Sequence, residues 1–329
     1  MTRFAVIGAG GWGTAMAILL AERGHHVSLV GHDDAHVRQF RKTRVNRPFL
    51  PGCRVPKSID ITTDGAGAVA GASQILSVVP TSYLRRTWRK LSKHLPEGVP
   101  IVSLTKGIEN KTFLRPTEII GEYAPDHPLA VLSGPSHAEE VARLMPTTVA
   151  IAASSRSLAR ELQDLCSTKT FRVYTNPDVI GVEVGAAMKN VIAIAAGIVD
   201  GLGFGDNTKA ALLTRGLTEI QSLGCAMGAK KKTFHGMAGI GDLITTAFSK
   251  HGRNRAVGER IGKGLKLKAI LSATPKVAEG VGTTRSVHNL SRQLNVEMPI
   301  TKEVWRVLFR GKDPKKAVTE LMTREGRGE

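Results

Sequence analysis

The sequence predicts an α/β fold class: a doubly wound sheet with helices over residues 1–176, followed by an all-α C-terminal domain over residues 177–329. Three observations carry this reading. A G-x-G-x-x-G pattern at Gly8, Gly10 and Gly13 lies between an apolar strand pattern and an Ala/Leu-rich helix pattern. Strand, glycine or proline turn, and helix start then recur along the first half. Beyond residue 176 strand patterns largely stop and helical ones take over. In a strand–turn–helix context the first glycine permits the tight turn, the second lets backbone approach a pyrophosphate, and the third lets the helix pack on the strand. The first half therefore reads as a Rossmann-like dinucleotide-binding domain.

The first strand begins at Arg3 and runs into the glycine turn, and the helix behind it offers free N–H groups to phosphate. Residues 24–30 form the second strand, which ends at His32, Asp33 and Asp34. An acid about 20 residues past the motif binds the adenosine ribose hydroxyls, whereas a base favours a 2′-phosphate. Asp33 leans towards NAD. His32 and the basic residues between Arg38 and Arg47 leave NADP open, and Asp33 or Asp34 as the cap of the next helix is an equal reading. Strands follow at 72–80, closed by Pro80, and at 100–106, closed by Lys106. Ligands of such sheets sit beyond the carboxyl ends of the strands. Lys106 is placed there for a phosphate or carboxylate, or stands as an ordinary solvated lysine. Residues 129–133 form another strand before Gly134-Pro135-Ser136, and Ser136 with Glu139 has capping-box spacing, which is compatible with a ligand role. Two more strands, at 147–152 and 171–174, flank an amphipathic helix at 157–166.

The helical half opens with Asn176 as a cap, Pro177 at the first helical position and Asp178 against the positive end. The following run is apolar nearly all round, so the helix is expected to be buried. Glu183, Lys189 and Asn190 interrupt it, which argues against a membrane span. Lys189 is the only cation between Asp178 and Asp200. Desolvation disfavours the ammonium, and a neutral lysine can take a proton from an alcohol; a lysine that snorkels to water is the other reading. Asn190 adds an amide that can orient a substrate. Helices are expected at 208–224, 237–247, 253–262, 284–293 and 301–309, and a polar tail beyond Met322 is expected to fray. Asp242 follows a glycine turn with Thr246 one turn on; it either orients a catalytic lysine or caps its own helix. Arg253 with Asn254 suits a phosphate, because guanidinium binds oxygens bidentately, or is a solvated loop pair. The glycine turn around Glu279 says little alone.

With 329 residues and 42% hydrophobic content, the chain has the composition of a soluble globular protein of two domains. Cys53, Cys166 and Cys225 lie far apart without nearby histidines, which predicts no metal site and no disulfide framework, and hence a reducing compartment, the cytoplasm. The first strand starts within three residues of Met1, so no signal peptide is expected. The net charge is +18, and residues 229–329 carry 21 Lys/Arg against 9 Asp/Glu. A phosphate-bearing small molecule, nucleic acid or an acidic membrane would each suit that balance. The charges are scattered among acids, and aromatics make up only 5% of the chain, thin for stacking on bases. A solvated basic surface is favoured, with no nucleic-acid partner and no membrane insertion.

Taken together, these residues resemble the bacterial-type NAD(P)-dependent glycerol-3-phosphate dehydrogenases nearly end to end. The likeness is carried by GAGGWGTA (8–15), SLTKGIE (103–109), LSGPSHAEEV (132–141), the long GVEVGAAMKNVIAIAAGIVDGLGFGDNTKAALLTRG (181–216), GDLITT (241–246), GRNR (252–255) and AEGVGTT (278–284). The resemblance implies a Rossmann domain followed by an α-helical domain, with NAD(P)H as cofactor and a homodimer as the family expectation. It implies that Lys189 exchanges the proton of the C2 hydroxyl. Lys106, Gly134, Ser136, Lys189, Asp242, Gly252, Arg253 and Asn254 match the substrate set, and Asn190 and Thr246 are similar to supporting polar groups. Gly11, Trp12, His32, Asp33, Lys106, Ala138, Arg253, Val277 and Glu279 match cofactor positions, beside Gly8, Gly10 and Gly13. Many relatives carry Ser at Gly11, Tyr at Phe49, Ser at Gly252 and Arg at Asp33; the last difference bears on the choice between NADH and NADPH. The implied reaction interconverts dihydroxyacetone phosphate and sn-glycerol 3-phosphate for phospholipid synthesis. The alternatives are a related 3-hydroxyacid-type dehydrogenase and, more remotely, a non-catalytic dinucleotide sensor that binds nucleic acid.

Overall fold

The computed structural model describes residues 1–273 and 277–325, so the last four residues of the polar tail lie outside it. The chain divides into two units, Met1–Lys106 with Arg115–Glu183, and Gly107–Leu114 with Val184 onward. This differs from a single boundary at 176. A short excursion after Lys106 groups with the helical part, and the first turn of the long helix groups with the sheet.

The first unit is built on one sheet of eight strands: β1 (Arg3–Ile7), β2 (His26–Val30), β3 (Ile59–Thr62), β4 (Gln74–Ser77), β5 (Ile101–Ser103), β6 (Leu129–Ser133), β7 (Thr147–Ala153) and β8 (Phe171–Asn176). Their order is β3-β2-β1-β4-β5-β6-β7-β8. Every pairing is parallel except β6 with β7. This is the doubly wound Rossmann order, and the winding reverses between β1 and β4, where such sheets bind their ligands. Strands covered on both faces need continuous apolar runs; Phe4 to Ile7 and Gln74 to Ser77 are accordingly buried without alternation. The short edge strand β3 is the one the sequence patterns missed.

Seven helices cover this sheet: α1 (Gly11–Glu22), α2 (Asp34–Thr43), α3 (Gly65–Ala70), α4 (Thr81–Leu91), α5 (Pro116–Gly121), α6 (Ala138–Val141) and α7 (Arg156–Cys166). Helix α1 buries Gly13 through Leu20 against the core, which is why its sequence is Ala/Leu-rich on all sides. The N-terminus of α5 is held by Glu183, which accepts from Thr117 N and Thr117 Oγ and pairs with Arg115. Burial raises the Glu183 carboxyl above its usual range, and the Arg115 and Thr117 donors oppose that rise. The expected capping box at Ser136 does not form. Helix α6 starts one residue later with His137 at the cap position, and Ser136 Oγ donates instead to Gly134 O at 2.9 Å.

The second unit is helical: α8 (Val179–Gly201), α9 (Asp206–Ala226), α10 (Asp242–Phe248), α11 (Arg253–Gly262), α12 (Leu267–Ser272), α13 (Glu279–Gln293), α14 (Pro299–Arg310) and α15 (Pro314–Met322). Helix α8 begins later than its cap signals suggested. Asp178, not Asn176, accepts from the N–H three residues on, Gly181 N, at 2.9 Å, while Asn176 accepts from Asp178 N. α8 is long and apolar enough to cross a membrane, but 89% of its apolar window is buried inside the protein. The continuous helix expected at 237–247 is broken. Met237–Gly241 forms a π turn in which Gly239 leaves helical geometry at φ −104° and ψ −105°, and α10 starts afresh at Asp242.

Glu219 on α9 closes the N-terminus of α14, accepting from Ile300 N, from Thr301 N at 3.0 Å and from Thr301 Oγ at 2.7 Å. Burial pushes its carboxyl up to about 7, the three donors opposing. A carboxyl held above its unfolded value favours the folded state while protonated. That contribution is full below about pH 4.5 and is lost as pH rises through about 7, amounting to about 3 kcal/mol over the window. Glu219→Gln should abolish this part of the pH dependence, seen as urea midpoints that no longer fall between pH 5 and pH 7.5. Glu219→Ala should lower stability at every pH by about 1–3 kcal/mol, because two buried N–H groups lose their acceptor.

Candidate active site

In the first unit the glycine turn has the geometry of a phosphate cradle. Gly8 sits at φ +119°, and a Cβ there would stand 2.6 Å from Val78 O on the neighbouring crossover. A Cβ on Gly13 would lie 1.9 Å from Gly8 O, so only glycine lets α1 approach β1 this closely. Gly10, by contrast, has nothing within 4 Å of its Cβ position; it leaves open space at the N-terminus of α1. That terminus has no side-chain cap and no acid in its first turn. Trp12 Nε1 is buried there without a hydrogen-bond partner. Free N–H groups, an open glycine and an orphaned donor together fit the pyrophosphate of a dinucleotide. Gly11 would place a Cβ 2.9 Å from Phe49 O and 3.7 Å from Ala138 Cβ, so the 45–50 loop and α6 close on α1 at the expected cofactor positions.

One residue here escaped sequence reasoning. Asn46 is fully buried, and its amide donates to Ala9 O at 3.0 Å and Thr14 Oγ at 2.8 Å while its oxygen meets His36 Nε2 at 3.0 Å. It clamps the glycine turn from outside. No local pattern marks it, because the two acceptors of its amide on the glycine turn, Ala9 O and Thr14 Oγ, are more than thirty residues away in sequence.

Asp33 caps α2, accepting from His36 N at 2.6 Å through Oδ1 alone. The capping bond of that reading is thus present. His32 and Asp33 are both exposed at the end of β2. Of the basic residues nearby, Arg41 is turned onto Ile61 O and Arg44 onto Val55 O, Pro56 O and Ile59 O, while Arg38 and Arg47 are exposed. At the ends of β5 and β6, Lys106 Nζ and Ser136 Oγ converge on Gly134 O, at 3.4 and 2.9 Å. Three residues of the expected substrate set thus meet at one carbonyl.

In the second unit Lys189 lies near the middle of α8, 5% exposed, and does not snorkel. Its Nζ donates to Asp242 Oδ1 at 2.6 Å and Thr246 Oγ at 2.7 Å. Asp242, only 2% exposed, is therefore the buried counter-ion of the lysine and not a helix cap. The π turn makes this possible, since it swings the first turn of α10 onto α8. A Cβ on Gly185 would lie 2.5 Å from Ala238 O in that turn. Irregular turns of this kind recur at functional sites.

Asn190 and Asn254 join the two halves of this constellation. Asn254 Nδ2 donates to Asn190 Oδ1 at 2.9 Å, and Asn254 Oδ1 accepts from Gly280 N at 3.0 Å. The Asn254 side chain therefore ties α8, α11 and α13 together. Arg253 is the first residue of α11, exposed, with one guanidinium nitrogen on Val277 O at 2.9 Å. The cap residue Gly252 provides no side-chain oxygen, and α11 has no acid in its first turn. Val277, Glu279 and Arg253 are thereby gathered at the adjoining starts of α11 and α13. No group of metal-ligating side chains occurs among the described residues.

Against known proteins, the family model described as the N-terminus of NAD-dependent glycerol-3-phosphate dehydrogenase matches residues 3–159, and the model of its C-terminus matches residues 178–319. The chain belongs to the NAD-dependent glycerol-3-phosphate dehydrogenase family. Among its relatives, a glycerol-3-phosphate dehydrogenase of the NAD(P)+ type from Desulfitobacterium hafniense is 48% identical, the match covering 98% of this chain and 92% of that one. Another, from a Geobacter species, is 50% identical over 99% of this chain and 98% of its own. The crystal structure of glycerol-3-phosphate dehydrogenase from Coxiella burnetii superposes with a TM-score of 0.95 at 37% identity, covering 98% of this chain and 99% of that one. Family membership bears out the Rossmann-like sheet followed by a helical domain and the NAD(P)H cofactor that the sequence led us to expect.

Proposed function

We propose that this chain is a cytoplasmic oxidoreductase that interconverts dihydroxyacetone phosphate and sn-glycerol 3-phosphate with NAD(P)H, feeding glycerophospholipid synthesis. The observation that carries the reading is the buried Lys189–Asp242–Thr246 constellation beside an α11 N-terminus that is positive and uncapped. The glycine turn with Trp12 would hold the cofactor, which supplies the hydride when bound. Lys189, as the ammonium, delivers a proton to the oxygen developing negative charge at C2, and takes it back in the oxidative direction. Asp242 and Thr246 fix the direction of the Nζ–H bonds. Arg253 and the first N–H groups of α11 receive the phosphate. The phosphate is remote from the reacting carbon, so its binding energy goes into orientation, and dihydroxyacetone without phosphate should lose rate as well as affinity. Part of the +18 charge steers dianionic substrate and cofactor. A homodimer is the assembly this reading carries with it.

The test is the initial rate of dihydroxyacetone phosphate reduction with NADH and with NADPH at matched concentrations, followed by nicotinamide absorbance. Turnover with either supports the reaction, and none with either refutes it. The ratio of kcat/KM values reports whether Asp33 or the exposed His32, Arg38 and Arg47 decide the cofactor. Asp33→Arg should move that ratio towards NADPH, since it replaces repulsion of a 2′-phosphate with attraction.

A further inference from the structure

The α11 N-terminus carries more positive charge than a helix start tolerates alone. Its dipole end is uncapped, Arg253 and Arg255 stand in its first turn, and no acid accompanies them. One internal anion answers part of this. Asp200, at the end of α8, accepts from Arg255 Nε through Oδ2 at 2.7 Å and pairs with Lys209 Nζ of α9 through Oδ1 at 2.5 Å. Arg255 also reaches Glu259 at 3.5 Å, one turn on, and Lys209 lies 4.8 Å from the Phe248 ring centre at the end of α10. The three side chains are only 10–19% exposed. Four helices are thus stitched together two residues from Arg253. The two arginines of the GRNR motif have different surroundings: Arg255 is locked inward, whereas Arg253 is exposed.

We propose that Asp200 is a positioning residue for phosphate recognition: by fixing Arg255, it holds the first turn of α11 so that Arg253 and the helix N–H groups face the substrate phosphate. Lys209 keeps the carboxylate in place from the other side. Without Asp200, Lys209 would lose its carboxylate and Arg255 would keep only the 3.5 Å pairing with Glu259 on its own helix, so no ion pair would tie the first turn of α11 to the end of α8 and to Lys209. The inference rests on the reading of α11 as the phosphate end of the site.

The experiment compares wild type, Asp200→Asn and Lys209→Met in three assays. Two are reduction of dihydroxyacetone phosphate and of dihydroxyacetone; the third is calorimetric binding of inorganic phosphate. Asp200→Asn should lower kcat/KM for dihydroxyacetone phosphate about tenfold, through a raised KM and a lowered kcat, since the phosphate anchor's binding energy goes into orientation. Phosphate binding should weaken by a similar factor, and kcat/KM for dihydroxyacetone should stay at the wild-type value. Lys209→Met should show the same pattern more weakly, because the Asp200–Arg255 bond survives. Equal losses on both substrates would reduce Asp200 to a general structural role and overturn the proposal, as would an unchanged kcat/KM for dihydroxyacetone phosphate. A wild type that binds phosphate but does not reduce dihydroxyacetone phosphate would sink the assigned reaction instead; the calorimetric arm would still decide the role of Asp200.

Discussion

Lys189→Met is expected to lower kcat for dihydroxyacetone phosphate reduction about 10³- to 10⁴-fold, the range over which a positioned acid–base group acts, while NADH affinity stays unchanged. The methionine approximates the stem of the lysine and removes the amine, with its charge and its hydrogen bonds to Asp242 and Thr246. It also leaves Asp242 buried without its counter-ion, and breaking such a pair costs about 3–5 kcal/mol of stability. Activity could therefore fall because the protein is damaged, and a second variant separates the causes. In Lys189→Met/Asp242→Asn the stranded charge is gone, so the urea midpoint should recover towards wild type. The rate should not recover. NADH binding, followed by fluorescence, should be the same in wild type and both variants. Near-normal turnover in either variant would refute the proton-transfer role of Lys189.

The sequence made the sheet legible because two glycines of the first turn answer local steric demands: Gly8 its positive φ and Gly13 the contact with Gly8 O. Lys189 was conspicuous for a similarly local reason, as a lone cation in an apolar helix. What local patterns could not show is which groups answer each other across the fold. Burial of Lys189 suggested loss of its charge only while Asp242 was out of view. The partner lies 53 residues on, behind a π turn that periodicity reads as unbroken helix. Ser136 and Glu139 have the spacing of a capping box, yet Gly134 O competes for the serine hydroxyl and wins. Asn254 stood out beside Arg253 as a phosphate candidate; its bonds to Asn190 and Gly280, 64 and 26 residues away, had no local mark. Strand β3 was missed because four residues with an exposed Asp60 among them carry too little pattern, and it is its parallel pairing to β2 that makes them a strand.

Gly197→Ala is expected to destabilise the helical unit by more than about 3 kcal/mol, above the usual cost of overpacking. Helices α8 and α11 touch at backbone distance through Gly197, Gly201, Gly258 and Gly262. A Cβ on Gly197 would stand 2.0 Å from Arg255 O and 2.8 Å from Glu259 N, and one on Gly258 would stand 2.0 Å from Ile194 O. These are backbone atoms, so no rotamer change relieves the clash and one helix must move. The contact lies in the first turn of α11, where Arg253 and Asn254 sit. Any folded fraction of the variant should therefore show a raised KM for dihydroxyacetone phosphate as well as a lowered urea midpoint. The control is Gly282→Ala in α13, whose Cβ would meet only Asn110 Nδ2 at 3.6 Å. There the helix preference for alanine should raise stability by up to about 1 kcal/mol. If Gly197→Ala behaved like Gly282→Ala, the close approach of the two helices would be wrong. The geometry that puts Asn254 within reach of Asn190, and Arg255 within reach of Asp200, would then fall with it.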